Sequence, residues 1–293
     1  MNDLKQYLVS AMNENRPTFK NLIFGNTSAD MDSVVGSILM SWFYGTKTGV
    51  KYTPVVYCTR HELTFRFEIL EHLALFGIDE PFLRENVVAL DDFAGQEEQV
   101  FANVESVGLI DFNKLTKELI CVSDKVHYII DHHADHEKYL DSLKEKKIMI
   151  CGSATTLIIQ KMLTESELFN SSNQKENSDL ALFACAPLSL DSVSFQIDFK
   201  DCKWIDLDIQ IFEQLCFYYC KCPREYLDAC KATKYNIKKN LELGCFNNLI
   251  KNYKTFDYIK NGQNVHGVGV SSIYIPIDEF IQTYGLDEVV KEL

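Results

Sequence analysis

No stretch of the 293-residue chain approaches eighteen consecutive apolar residues, so no helical membrane span is expected. The first residues, Met1-Asn2-Asp3-Leu4-Lys5, lack the basic start and apolar run of a secretory signal, so a cytoplasmic location is expected. The ten cysteines include no C-x-x-C pair. Cys216 and Cys220 stand at helical spacing in an aromatic segment, and Cys220-Lys221-Cys222 is a lone C-x-C. The expectation is therefore small buried hydrophobes in a reducing compartment, rather than zinc ligands or disulfides. Positive charge is scarce: 29 Lys and Arg against 42 Asp and Glu leave a net charge of −13, which argues against nucleic acid polymers as partners. Internal repeats and low-complexity tracts are also missing. What is present, 46% hydrophobic residues with 12% aromatics, describes a globular protein long enough for two domains.

The charge is unevenly spread. Residues 1–199 carry about −12 and residues 200–293 about −1. In the second part Lys221, Arg224, Lys231, Lys234, Lys238, Lys239, Lys251 and Lys254 meet only Glu225, Asp228 and Glu242 over the same stretch. Two readings stand side by side: a solvated helix face, or a surface that grips phosphate.

Apolar runs alternate with helical patterns through the first two thirds. Strands are expected at 19–24, 53–58, 87–90, 106–110, 126–130 and 147–151. Helices are expected at 32–44, at 62–76 with Gly77 as its stop, from Ser153 as N-cap through 163, and over 180–190. Asn170–Asn177 reads as a surface loop. Such alternation implies an α/β fold with a parallel sheet of five to six strands flanked by helices. The rhythm changes after Asp191. A first domain over 1–192, a linker over 193–205 and a smaller α+β domain over 206–293 are expected. The last contains helices near 206–220 and 223–240, strands at 245–259 and 265–274 joined through Lys260-Asn261-Gly262-Gln263, and a final helix from Ile277.

Chemistry collects at the ends of three strands. Gly25-Asn26-Thr27-Ser28-Ala29-Asp30-Met31-Asp32 follows the first, Asp111 ends Leu109-Ile110-Asp111, and Asp131-His132-His133 follows Ile129-Ile130. In an open parallel sheet ligands bind at this carboxyl edge. Asp30 and Asp32, at a strand-to-helix turn, can reach one pair of ions or simply cap the helix. Asp111 alone reads as a turn residue; as a ligand it could bridge two ions. The adjacent imidazoles let one bind metal while the other meets a phosphate oxygen, with Asp131 orienting an imidazole. Asp191, in Leu190-Asp191-Ser192, could close the set. Aspartates and histidines on one edge suit two hard divalent cations, Mg²⁺ or Mn²⁺ with Co²⁺ as a further option, and two-metal sites mostly serve hydrolysis at phosphorus.

Asn26-x-x-x-Asp30-x-Asp32-Ser33, Asp111, Asp131-His132-His133, Gly152-Ser153 and Leu190-Asp191-Ser192 resemble, in order and spacing, the four motifs of the DHH phosphoesterase superfamily. The match is to the branch that carries a DHHA2 C-terminal domain. Asn26 rather than His, the retained His133 and the segment Thr59–Glu68 make the chain most similar to yeast-type cytosolic exopolyphosphatases. The resemblance implies that Asp30, Asp32, Asp111, His132 and Asp191 hold two divalent cations, with Asp111 bridging and Asn26 adding a weaker oxygen. It implies that water activated to hydroxide attacks the terminal phosphorus of inorganic polyphosphate. His133 and Asp131 then act in catalysis, and Arg60, Lys231, Lys234, Lys238 and Lys239 bind the following phosphates. Two departures stand out: Phe112 where the family has His or Asn, and Thr233-Lys234-Tyr235-Asn236 in the C-terminal segment. The alternatives are an inorganic pyrophosphatase, a prune-like nucleotide phosphodiesterase, or a polyphosphate-binding protein without catalysis.

Overall fold

The computed structural model describes residues 1–16, 18–165, 169, 174–260 and 263–293. Six parallel strands, β1 (Asn21–Phe24), β2 (Thr53–Val56), β3 (Val88–Ala89), β4 (Ser106–Ile110), β5 (Val126–Asp131) and β6 (Glu145–Ile148), form one sheet in the order β3-β2-β1-β4-β5-β6. Chain order reverses between β1 and β4, which pair with Leu22 opposite Val107 and Phe24 opposite Leu109. The carboxyl ends of these two strands therefore flank the crevice where such sheets bind ligands.

The strands read as continuous apolar runs because helices cover both faces. Leu22, Phe24, Val107, Leu109 and Ile129 enter one core with Phe93 and Phe101. Ile23, Ile110, Tyr128 and Ile130, alternating with them, enter the other. This second core takes in helices Asn2–Asn15, Met31–Thr48, Ala154–Glu165 and Gln174–Asp191. Helix Met31–Thr48 is buried along most of its length. Its Gly36 lets the sheet and a neighbouring helix close in, since an added Cβ would lie 2.8 Å from Ile110 Cγ2 and 3.0 Å from Ile158 Cδ1.

Several elements depart from the sequence expectation. The helix expected over 62–76 breaks into Arg60–Leu63 and Phe67–Leu75, because Arg66 leaves helical geometry and turns its guanidinium inward. The helix expected over 223–240 breaks into Arg224–Lys234 and Ile237–Leu241, with Asn236 capping the second piece. Cys245–Lys251, expected as a strand, is a helix, and β7 (Tyr253–Lys260) starts after it. Asn248 donates to the carbonyls of Asn240 and Gly244, and Cys245 and Leu249 pack with Ile275, Phe280 and Val289 into a separate small core. An apolar run this short does not by itself distinguish helix from strand. β7 pairs antiparallel with β8 (Gln263–Ser271), while the expected turn residues Asn261-Gly262 lie outside the described residues. So do 170–173 of the expected loop; Gln174 already opens the next helix. Helices Asp206–Tyr218 and Arg224–Lys234, which the sequence assigns to the second domain, pack through Ile211, Leu215 and Cys230 on the core of Ile23, Ile110 and Ile130. The stretch expected as linker is ordered: Trp204 is buried and its indole N–H donates to Gln196 O.

Candidate functional site

The end of β4 is bent into an unusual conformation. Asp111 has φ of 67°, a left-handed geometry that costs a non-glycine residue energy and is found mostly where function holds it. Its N–H still donates to Ile130 O, so the strand is tied down while the side chain swings into the crevice. There Oδ2 accepts from Asn26 Nδ2 at 2.6 Å and Ser33 Oγ at 2.7 Å. Oδ1 is buried and accepts no well-aligned hydrogen bond; it lies 3.1 Å from His132 Nε2 and 3.6 Å from His133 Nδ1. Burial, then the charges of Asp30 and Asp32, push the Asp111 carboxyl up to about 7.

Each neighbour is fixed by its own partners. The backbone oxygen of Cys151 accepts from His132 Nδ1 at 2.9 Å, so the proton is on Nδ1 and Nε2 faces Asp111. Asp111 and then Asp32 outweigh burial and carry the His132 imidazole up to about 11. His133 donates from Nδ1 to Asp131 Oδ1 at 2.8 Å and is raised by it, while Asp131 is held below the usual carboxylate range by His133 despite its burial. Asn113 donates its amide to Asp131 Oδ2. Phe112 stacks on Tyr57, and Asn113, one residue later, supplies the polar contact that Phe112 does not. Asp30 caps helix Met31–Thr48, accepting from Ser33 N at 3.1 Å.

Asp32 has two tasks. It is fully buried, and its carboxylate accepts from Ser153 Oγ (2.7 Å), Ala154 N (2.6 Å), Thr155 N (2.9 Å) and the Thr155 hydroxyl. It thus caps helix Ala154–Glu165 from another element, and its charge suits that helix's positive end. Asp191 ends helix Gln174–Asp191, and burial together with the charges of Asp32 and Asp30 lifts its pKa well above the ordinary range, against the pull of Lys234. Asp30, Asp32, Asp111 and Asp191 thus form one mutually repelling cluster. The ligand atoms of Asp111, His132 and His133 lie within 4.8 Å of one another.

Asn26 does not turn an oxygen into the cluster. Its Oδ1 accepts from Ser28 N at 2.8 Å, and its amide nitrogen faces Asp111. Arg60, expected at the substrate, is paired with Asp92 and donates to Val87 O, because β3 and the turn after it bring acceptors beside it. Lys239 pairs with Glu71 at 2.6 Å, Lys238 is exposed and Lys231 half-buried. Of the four expected lysines only Lys234 reaches the cluster; it is buried beside Tyr274, Asp191 and Glu68, whose charges raise its pKa despite burial.

The sequence reading missed the rest of the basic wall. Arg66, 4% exposed, donates to Ser28 O, Glu62 O and Lys251 O. Lys251, 2% exposed, donates to Asn240 Oδ1 at 3.1 Å and lies 5.1 Å from the ring centre of Phe67 and 5.2 Å from that of Tyr274. Burial, with Arg66 and Lys234 adding to it against Glu68, lowers Lys251 to about 8. Asp208 was also missed. It accepts from Gly152 N, Thr156 Oγ1 and Ile205 N, joining the connection after Asp191 to the start of helix Ala154–Glu165. A cavity of about 400 Å³ lined by Thr27, Tyr57, Arg66, Phe93, Phe101 and Thr116, among others, adjoins the Asn26–Asp30 loop.

Residues 20–186 match the DHH family, N-terminal domain. A curated relative from Schizosaccharomyces pombe, named "Putative exopolyphosphatase", is 29% identical over 230 residues. The aligned part is 76% of this chain and 57% of that protein, so the chain spans little more than half of the relative's length. Among solved structures, a "putative family II inorganic pyrophosphatase" of Methanococcus jannaschii is similar with a TM-score of 0.53 at 18% identity, covering 86% of this chain and 71% of that one. An exopolyphosphatase-related protein of Bacteroides fragilis is similar with a TM-score of 0.51 at 13% identity, covering 87% and 67%. At such identities the two structures speak for the fold alone. The family match over residues 20–186, more than half of the chain and spanning Asp30, Asp111 and Asp131-His132-His133, makes this protein a member of the DHH family.

Proposed function

We propose that this chain is a metal-dependent hydrolase of phosphoanhydride bonds, and that it releases orthophosphate from the end of inorganic polyphosphate. The observation that carries the reading is a buried basic group set against an acidic cluster: Lys234 is buried and acts electrostatically on Asp191, one of four mutually repelling aspartates, and Lys251 and Arg66 are buried with it. The donor set fits two hard cations. Asp111 Oδ1 is a buried acceptor without a hydrogen bond, and the elevated pKa values of Asp111 and Asp191 report negative charge without enough counter-charge. Asp30, Asp32, Asp111, Asp191 and His132 Nε2 would hold the ions, Asp111 between them. The ions, when bound, supply Lewis-acid polarisation of phosphoryl oxygens and lower the pKa of water from 15.7 to about 7.

The chain's own residues do the rest. Asn26 and Ser33 fix Asp111 through Oδ2 and leave Oδ1 for the ions. Asp131 holds His133 by Nδ1, which leaves Nε2 to meet a phosphoryl or leaving oxygen. Lys234 and Lys251 balance the charge that grows on the departing phosphate, and each charge-assisted bond is worth about 1.5–3 kcal/mol. The strands and their strand-end motifs would supply the metal chemistry, and the later DHHA2-like portion the phosphate grip. No disulfide joins any of the ten cysteines; among the described residues no helix is long and apolar enough to cross a membrane.

A second reading, a nucleotide phosphodiester substrate, is favoured by the aromatic cavity of Tyr57, Phe93 and Phe101 next to Arg66, which suits a base better than a phosphate chain. The test is phosphate release from pyrophosphate, tripolyphosphate and long polyphosphate, and nucleoside monophosphate formation from a cyclic nucleotide, with Mg²⁺, Mn²⁺ or EDTA. Metal-dependent release from the longer chains is expected. Activity confined to pyrophosphate or to the nucleotide would replace the polyphosphate assignment.

A further inference from the structure

Three of the ten cysteines meet at one place, and a fourth lies two residues along the chain from one of them. Cys185 lies in that helix, Cys216 in the last turn of Asp206–Tyr218, and Cys220 and Cys222 in the short connection to Arg224–Lys234. The sulfurs of Cys185, Cys216 and Cys220 lie within 4.8 Å of one another, and those of Cys185 and Cys220 are 4.0 Å apart. Cys222, two residues after Cys220 on the same connection, places a fourth thiol beside them, its Sγ 4.0 Å from Pro223 O. The neighbouring thiols draw Cys216 towards the thiolate.

The three clustered sulfurs fit three corners of a tetrahedral metal site, and Cys222 is placed to supply the fourth. Four sulfurs at about 2.3 Å from Zn²⁺ are separated from each other by roughly 3.8 Å. A disulfide requires sulfurs about 2.05 Å apart. Packing alone does not explain the cluster, because an apolar core gains nothing from collecting four thiols that share their protons.

We propose that Cys185, Cys216, Cys220 and Cys222 bind one structural Zn²⁺ as a closed tetrathiolate. On binding, each thiol releases its proton to water and no electron moves. All four positions are taken by protein sulfur, so no site remains for substrate or water. The ion joins the helix that ends at Asp191 to the element that leads into the helix carrying Lys234, so it fixes the spacing of two groups at the acidic cluster without touching it.

The test begins with the full chain, purified without added metal, dialysed against EDTA and analysed for metal. One equivalent of zinc is expected to survive, slow to leave because every ligand is a thiolate. It should be released by a mercurial as four thiolates are capped, one mercury to each sulfur. Cobalt in its place should give sulfur-to-metal charge-transfer absorption and tetrahedral ligand-field bands. Cys222→Ser, at a half-buried position, should lower the retained zinc from one equivalent to near zero, while Asp111→Ala should retain it. Two results would overturn the proposal: wild-type protein without zinc whose cobalt form lacks the thiolate bands, or a disulfide among these four residues found by mass spectrometry. The readings concern the wild-type protein first, so they stand even where a cysteine variant fails to fold.

Discussion

The two walls of the candidate site are built in opposite ways. The acidic wall hangs from strand ends and helix starts, and three of its carboxylates are held by named donors: Asp32 by Ser153, Ala154 and Thr155, Asp131 by His133 and Asn113, and Asp111, through Oδ2, by Asn26 and Ser33. The basic wall stands on long stems braced by rings, with Lys251 over Phe67 and Tyr274, and Lys234 over Tyr235 and Tyr274. Its charges repel each other and find counter-charge in Glu68 and Asp191. One wall is rigid before any ligand arrives; the other is held together by the charges it faces. Ion placement calls for the first arrangement, and chains of varying phosphate length call for the second.

That contrast can be broken at either wall. The largest effect is expected from Asp111→Ala, which should lower hydrolysis by about 10³-fold or more while circular dichroism stays unchanged. Turnover near wild type would remove Asp111 from the chemistry. Asp32→Asn replaces an acceptor by a group that is half donor, and against the donors of Ser153, Ala154 and Thr155 it should cost about 3–5 kcal/mol in urea unfolding, measured without metal. A smaller loss would mean that helix Ala154–Glu165 does not depend on this cap.

The next effect is on pH. Asp111 and His132 keep protons in the folded state, at about 7 and about 11, that the unfolded chain gives up near 3.8 and 6.5. These two protons therefore favour the fold fully at low pH, and the support fades as pH rises through about 7 for Asp111 and about 11 for His132. In EDTA the Tm should fall between pH 5 and pH 8, and Mg²⁺, which displaces these protons, should reverse the slope; a rising Tm in EDTA would contradict the raised pKa values. Lys251 tests the other wall, since its charge is present below about 8 and lost above. KM for polyphosphate should rise about tenfold as pH passes that value, and Lys251→Met should give the high KM at every pH and no inflection. The smallest effects belong to the outer charges: Lys238→Ala should change KM less than about twofold, and Arg60→Ala should cost about 1 kcal/mol of stability through Asp92 with KM unaltered.

The acidic wall was legible from the sequence because its signals are local. A buried run followed at once by Asp, or by Asp-His-His, reports both the strand and the group at its end, and the parallel α/β sheet follows from the spacing of such runs. The basic wall was not. Arg66 donates to a backbone oxygen 185 residues away, from a break in what reads as one continuous helix. Lys251 closes a short helix whose apolar residues fit a strand equally well. The pattern around Ser153 marks a helix start correctly, yet the carboxylate that completes the cap lies 121 residues earlier. The four thiols are divided among two helices and a connection, and only the fold brings them together. Asn26 was read as an oxygen donor by resemblance; its neighbours' hydrogen bonds decide otherwise.

The outermost strands carry a further consequence. β3 is two residues long, and β6, at the opposite margin, reads Glu-Lys-Lys-Ile, with Lys147 folded back onto Leu157 O and Gln160. Neither margin offers a long, flat, apolar ribbon of unpaired peptide groups, so a second molecule has little to add a strand to. Concentrated protein should resist fibril growth, and assembly of copies, where it occurs, should proceed through helices rather than by extension of the sheet.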